Sequence, residues 1–327
     1  MNAPFGGTII SFYSYKGGAG RTMTLANVAW ILASAGKRVL VIDWDLEAPG
    51  VHRYFRPFLS DPEMKASDGV IEMMMNYALA ALTPGEQDPD WHLPFANVLQ
   101  YVVSVEWDFP NRGTLDLMPA GRQDESYTRR IVTFNWHSFY ERLGGGSFLE
   151  AVKRNLRAEY DYILIDGRTG LSDTAGIVTI QMPDALVACF TYTRQSVENM
   201  AAVLNLVLEQ RQDARLRVFP VPTRVELAER ARLDKVRADA MSRMAPLLRM
   251  RPEDIDTYWA EVEIPYVPAY AYAETLAPFM DRPGMWQSVL ASTIRLTRYL
   301  TDGDVRELAP MPESERMGVL EQLGEYG

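Results

Sequence analysis

Short runs of Val, Ile and Leu recur along the chain, each separated from the next by a longer stretch in which apolar residues return every three or four positions. The pattern predicts strands at Thr8 to Ser14, Arg38 to Asp43, Tyr162 to Asp166, Ala185 to Tyr192, Leu216 to Val221 and Glu261 to Ile264. It predicts helices at Arg21 to Ser34, Val70 to Leu82, Phe148 to Glu159, Arg194 to Arg211, Leu227 to Met250 and Trp286 to Leu300. Strands alternating with helices build a parallel sheet covered on both faces, so the expected fold class is α/β, doubly wound, with a mostly parallel sheet. Three of the strand runs are almost continuously apolar, as burial on both faces requires. Between Val51 and Gly121 the pattern loosens, with further strands expected at Asn97 to Val105 and Thr114 to Met118 around the turn Asn111-Arg112-Gly113. That stretch reads as an elaboration, at about 51–121, of a single domain over residues 1–301; residues 302–327 form an acidic tail expected to fray or to make a short helix.

Composition narrows the picture in three ways. Hydrophobic residues make up 47% of the 327, ample for a packed core. The single cysteine, Cys189, lies in an apolar run, which excludes a disulfide framework within the chain and fits a reducing compartment. No apolar stretch approaches the roughly 18 residues of a membrane span, and Met1 to Gly7 has no signal-peptide character, so a soluble, cytoplasmic protein is expected. The net charge of −10 repels nucleic acid and anionic lipid on average. A local exception runs from Glu209 to Arg251, where 11 Lys or Arg face 6 Asp or Glu.

The first strand ends in Tyr15-Lys16-Gly17-Gly18-Ala19-Gly20, and helical periodicity begins at Arg21-Thr22. Strand, glycine loop and helix together make a phosphate cradle: glycines let backbone N–H groups converge on phosphate oxygens, and the helix N-terminus adds favourable partial charge. The Thr22 hydroxyl is placed to ligate Mg²⁺. Two positions depart from the usual G-x-x-x-x-G-K-[ST] pattern, with Tyr15 for the first Gly and Arg21 for the Lys.

The segment Lys16-Gly17-Gly18-Ala19-Gly20-Arg21-Thr22 resembles the deviant Walker A motif of the ParA/MinD group of P-loop ATPases, the SIMIBI type, and in particular a sub-group carrying Arg where the phosphate lysine commonly stands. The resemblance covers most of the chain from Thr8 to about Leu300. It implies ATP and Mg²⁺ as ligands, a nucleotide-sandwich homodimer, and a crossing role for Lys16, which would reach the partner's ATP. Gly17, Gly18, Ala19, Gly20, Arg21 and Thr22 would hold the phosphates. Arginine keeps the charge but replaces a point contact with a planar fork, so binding should survive and hydrolysis should be slower.

Two acidic motifs extend the resemblance. Asp43-Trp44-Asp45 closes the second strand at its C-terminal end, where α/β folds bind ligands. It is similar to the group's switch I, which implies that Asp43 supports Mg²⁺ through water and that Asp45 positions the attacking water. Tyr162-Ile163-Leu164-Ile165-Asp166 followed by Gly167-Arg168-Thr169-Gly170 resembles Walker B with switch II. There Asp166 would join the Mg²⁺ shell and the Gly170 amide would approach the γ-phosphate. The group more often has a proline soon after this Asp. Arg168 could stabilise transition-state charge, although a surface salt bridge is the expected role.

Base contacts are less marked. Val221-Pro222-Thr223-Arg224 stands where relatives carry an Asn that reads adenine, so Thr223 and Arg224 are candidates for a hydrogen bond and a stacking plane. Ile264-Pro265-Tyr266 resembles the late loop that lines the base, which makes Pro265 a candidate contact. His52, His92 and His137 have no zinc-ligand spacing. Met73, Met74 and Met75 read as the apolar face of a helix, and Trp44 as buried against the sheet. The basic residues Arg230, Arg232, Lys235, Arg237, Arg243, Arg249 and Arg251 are interspersed with acids at helical spacing, which favours an ion-paired face over DNA binding. The acidic C-terminus argues against an amphipathic membrane anchor.

The expected function is an ATP-hydrolysing switch that dimerises around nucleotide and changes its affinity for a protein partner the sequence does not specify. Two alternatives share the motifs: a nucleotide-gated sensor or scaffold with little hydrolysis, and a partition-type binder of non-specific DNA.

Overall fold

The computed structural model describes residues 6–83, 88–170, 176–211, 215–228, 230–282 and 284–325. Seven strands form one sheet: β1 Thr8–Tyr13, β2 Arg38–Asp43, β3 Val103–Ser104, β4 Thr114–Met118, β5 Tyr162–Asp166, β6 Ala185–Phe190 and β7 Arg217–Pro222. Their order across the sheet is β3-β4-β2-β5-β1-β6-β7. Every pairing is parallel except that of the two-residue β3 with β4, so the mostly parallel, doubly wound class holds.

Among the described residues the α-helices are α1 Arg21–Ser34, α2 Val70–Ala81, α3 Tyr127–Thr133, α4 Trp136–Glu141, α5 Gly145–Glu159, α6 Arg194–Gln210, α7 Arg230–Met244, α8 Pro252–Val262, α9 Ala277–Met280, α10 Val289–Leu300 and α11 Glu313–Glu325. Helices on both faces explain the strand composition. Because side chains alternate across a strand, Ile9, Leu40, Ile42, Ile163 and Ile165 enter one core with α2 and α5, while Ile10, Phe12, Val39, Val41 and Leu164 enter the other with α1 and α6. Helix α1 is buried from Thr24 to Ser34 on every side, as its nearly all-round apolar sequence requires. Its Trp30 stands among Phe58, Trp107, Phe109 and Phe279 with ring centroids 4.8–5.5 Å away.

Two expected strands differ. Glu261 to Ile264 is not a strand: Pro252 in the first turn, followed by Glu253 and Asp254, starts a helix that runs through Val262. Beyond it only an isolated bridge, Val225 with Pro265, forms. Of Asn97 to Val105, only Val103–Ser104 pairs, because the Asn97 side chain accepts from Leu99 N and turns Val98–Tyr101 into a 3₁₀ helix. The tail carries α11, and Val305 and Val319 are buried against the domain. Met73, Met74 and Trp44 are buried as expected, whereas Met75 is only half-buried.

The sheet's β7 edge is closed by its own sequence. Arg217 N and Thr223 N bond toward β6, so Pro220 and Pro222 fall at the outward positions and offer no N–H there. Their carbonyls are taken by Tyr258 Oη at 2.9 Å and Ile264 N at 2.9 Å.

Candidate functional site

Sheet register assembles the site. Asp43 and Asp166 are lateral partners in the β2–β5 pairing, and Asp166 stands opposite Phe12 of β1 in the β1–β5 pairing. The C-terminal ends of three adjacent parallel strands therefore bring the glycine loop, the Asp43–Asp45 turn and the Asp166–Gly170 loop to one place. They open on a cleft of about 610 Å³ whose far wall is Arg224, Pro265 and Tyr266.

The glycine loop runs into α1 with no side-chain cap, and the first residues of the helix, Arg21, Thr22 and Met23, line the cleft. Gly18 and Gly20 have φ of 75° and 79°, the left-handed region that favours glycine. The loop is braced from behind: Thr223, 1% exposed, contacts the Ala19 carbonyl through its hydroxyl, and Arg224 Nη1 donates to Gly18 O at 2.9 Å. Thr223, expected against a base, thus has its side chain committed to the loop. Arg224 lies with its guanidinium 5.1 Å from the Tyr266 ring centre, and together they form a flat polar-aromatic wall.

Arg21 turns away from the glycine loop toward the acids. Its Nε donates to Asp166 Oδ1 at 2.6 Å, and its Nη2 to Asp45 Oδ2 at 3.0 Å and Asp166 Oδ2 at 3.4 Å. Burial opposes the guanidinium's charge, but Asp166 and Asp45 outweigh it and hold its pKa above the ordinary value. The remaining nitrogen, Nη1, is buried with no partner. Thr22 Oγ1 donates to Asp166 Oδ2 at 2.8 Å.

Asp43 is turned to backbone. Its oxygens accept from Asp45 N at 3.2 Å, Gly50 N at 3.0 Å and Val51 N at 3.3 Å, which fixes the turn. Burial and the neighbouring Asp166 push its carboxyl well above the carboxylate range, while the Gly50 and Val51 amides pull the other way. Arg168 pairs with Glu47 at 2.7 Å on the partly exposed rim, the salt bridge expected of it. The Gly170 carbonyl accepts from Tyr13 Oη at 3.2 Å, and Gly170 has φ of 79°. Lys16 is exposed, with Nζ bonded to Gln195 Oε1.

A family model described as an AAA domain matches residues 7–51, the span that holds β1, the glycine loop, α1, β2 and the Asp43–Asp45 turn. Solved structures match nearly the whole chain. The cell division ATPase MinD of Pyrococcus furiosus superposes with a TM-score of 0.56 at 18% identity, covering 90% of this chain and 99% of that one. The fold is that of the MinD- and ParA-type P-loop ATPases. A putative plasmid partition protein from Borrelia burgdorferi, bound to AMPPNP, gives 0.56 at 16% identity with 91% and 99% covered. An ATP complex of a Cyanothece McdA variant gives 0.55 at 15% identity with 92% and 98% covered. A search of curated proteins finds no match.

Within this MinD/ParA-type fold the residues also allow a magnesium ion to be tested for fit. No group of three or more His, Cys, Asp or Glu arranged to hold a metal occurs among the described residues. Mg²⁺ at phosphate sites takes only one or two protein oxygens, with phosphates and water completing the shell. Thr22, at the cleft, and Asp166, bonded to it at 2.8 Å from the buried side, supply that number, so the donor set fits once Asp166 is released from Arg21. Sequence motifs did not point to Gln195, Tyr54 or Tyr270, the last two being cleft walls contributed by short 3₁₀ stretches without a motif. Nor did they show that Arg21 faces carboxylates.

Proposed function

We propose that the protein is an ATP-dependent molecular switch that closes two copies face to face around nucleotide and reopens them on hydrolysis. The observation that carries this is the register-set convergence of the glycine loop and Asp45 on one cleft at the C-terminal ends of β1, β2 and β5, with Asp166 buried behind it and bonded to Thr22. The amides from Gly17 to Thr22 and the N-terminus of α1 bind phosphate oxygens. Thr22 and Asp166 would hold Mg²⁺, with Asp43 supporting that site through water, and the ion would supply neutralising charge for the phosphates. Asp45, at the cleft wall, orients the attacking water. Arg224, Tyr266 and Pro265 face the base, and the Gly170 amide the terminal phosphate. Lys16, exposed at the loop's outer edge, is free to exchange Gln195 for a phosphate across the dimer.

The output is a changed affinity for a protein partner, in the cytoplasm. A second reading, a sensor that binds ATP and turns it over slowly, is favoured by one observation: Arg21 already occupies Asp45 and Asp166. The DNA-binding alternative is weakened by the pairing of the basic residues. Arg237 binds Glu263 and Asp234, Arg243 binds Asp239, and Arg251 binds Asp254. Glu229 and the side chain of Arg230 lie outside the described residues.

ATP turnover and light-scattering mass, with and without ATP, test the proposal on wild type, Lys16→Ala and Asp45→Ala. The switch expects ATP-dependent dimers, none in Lys16→Ala, and dimers without turnover in Asp45→Ala. ATP binding without turnover in wild type selects the sensor, and a monomer that turns ATP over unchanged in Lys16→Ala overturns the dimer mechanism.

A further inference from the structure

A second cleft, of about 630 Å³, is lined by the first residues of β7, the start of α8 and the last turn of α10. Because β7 runs parallel to β6 and β1, its first residues lie at the end of the sheet opposite the glycine loop. The two clefts share α10, whose Val289 lines the first and whose Arg298 and Tyr299 line the second. Arg217, Arg249, Arg251, Arg298 and Arg306 line this second cleft against two acids, Asp254 and Asp302, in a chain whose net charge is −10. Three of these arginines are paired. Arg217 Nη1 donates to both oxygens of Asp302 at 2.7 and 2.9 Å, Arg251 pairs with Asp254 at 2.8 Å and Glu253 at 3.3 Å, and Arg298 pairs with Glu261. Arg249 and Arg306 have no carboxylate partner among the described residues; the Arg306 Nε donates to Gly303 O at 2.7 Å. Both residues are exposed, so their donors are open to a ligand.

A guanidinium presents its N–H groups as a planar fork that matches two oxygens of a phosphate or carboxylate. Two such forks in one concavity suit an anion with more than one charged group. The Arg217–Asp302 pair can open to add a third, because an ion pair whose acid is 79% exposed is weakly held. Charge also limits the ligand's size. The same segments carry the exposed acids Glu253, Asp256, Asp304 and Glu307, so a long polyanion such as nucleic acid would run onto like charge. Phe219, Met250 and Tyr299 add an apolar wall, and the volume is that of a small-molecule site. We infer that this cleft is a second ligand site, separate from the nucleotide cleft, that binds a small organic polyanion bearing two or more phosphate or carboxylate groups. Arg249 and Arg306 take the charged groups, and Arg217 closes on them from the sheet edge.

Side-chain NMR of protein carrying isotope-labelled arginine tests the inference independently of the nucleotide reading, since each arginine reports its own site. The Nε–H signals of Arg249 and Arg306, assigned by their loss in Arg249→Gln and Arg306→Gln, are followed during titration with pyrophosphate and, separately, with citrate at physiological salt. Both signals should shift together and saturate with a dissociation constant below about 1 mM, and each substitution should weaken the response of the remaining arginine at least about tenfold. Saturation by pyrophosphate alone assigns the phosphate class, and saturation by citrate alone the carboxylate class. Arg129, exposed on α3 outside the cleft, is the internal control. Shifts at Arg249 and Arg306 that grow without saturation in step with Arg129, or that are indifferent to each other's substitution, overturn the site. A duplex oligonucleotide that saturates both signals at lower concentration than either small anion, with a steep salt dependence, makes the surface a nucleic-acid interface and overturns the small-ligand assignment.

Discussion

His52 links pH to the segment that follows the Asp43–Asp45 turn. It is 3% exposed in the 3₁₀ stretch Val51–Phe58, with Nδ1 buried and unpartnered. Burial, then Arg53 and Arg56, lower its pKa from 6.5 to about 4. The folded state therefore refuses a proton that the unfolded chain accepts, and stability is lost as pH falls below 6.5 toward 4. With those two values the penalty is only about 0.2 kcal/mol at pH 7 and about 2 kcal/mol at pH 5. Other groups, Asp43 among them, titrate in wild type and variant alike, so the comparison with His52→Leu isolates the term. Urea unfolding at pH 7 and pH 5 should show wild type losing about 2 kcal/mol more than His52→Leu over that interval. Parallel pH dependence in the two proteins, within about 0.5 kcal/mol, would refute the assignment of a buried, neutral His52. Because Val51 N is one of the amides that fix Asp43, acid loosening of this segment should also reach the site.

Two further outcomes are expected from close contacts elsewhere. A Cβ at Gly113 would lie 1.9 Å from the Ala33 carbonyl, so Gly113→Ala should destabilise the fold by about 3 kcal/mol in urea unfolding, and an unchanged midpoint would contradict the packing of α1 against the turn before β4. Arg224→Ala removes both the bond to Gly18 O and the cover on Tyr266, and should weaken ATP about tenfold by fluorescence titration; a loss below about twofold would remove Arg224 from the nucleotide wall.

The sheet was legible because its inner strands are apolar on both faces, and a run such as Val39 to Ile42 has no other stable use. Loop positions were legible for a related reason: acids and glycines interrupt those runs at the strand ends where they gather. The failures are local and physical. Val262 and Ile264 alternate like a strand, yet the proline and acids at the start of α8 set a helix that carries Val262 with it. At Asn97 a side-chain bond to the backbone took over a segment whose composition suits a strand. The orientation of Arg21 and the commitment of Thr223 were not readable at all, since both depend on partners 145 and 204 residues away in sequence.

Prolines at the outward positions of β7, and a two-residue β3 at the opposite margin, leave the sheet without a usable seam on either side. A continuous sheet running from one molecule into the next is thereby discouraged, which guards a chain with a long, strongly apolar parallel sheet against fibre growth. The same bluntness restricts how copies can meet productively. Any association of copies is left to loops and helices, and such contacts respond to what those loops hold in a way that a backbone ladder does not.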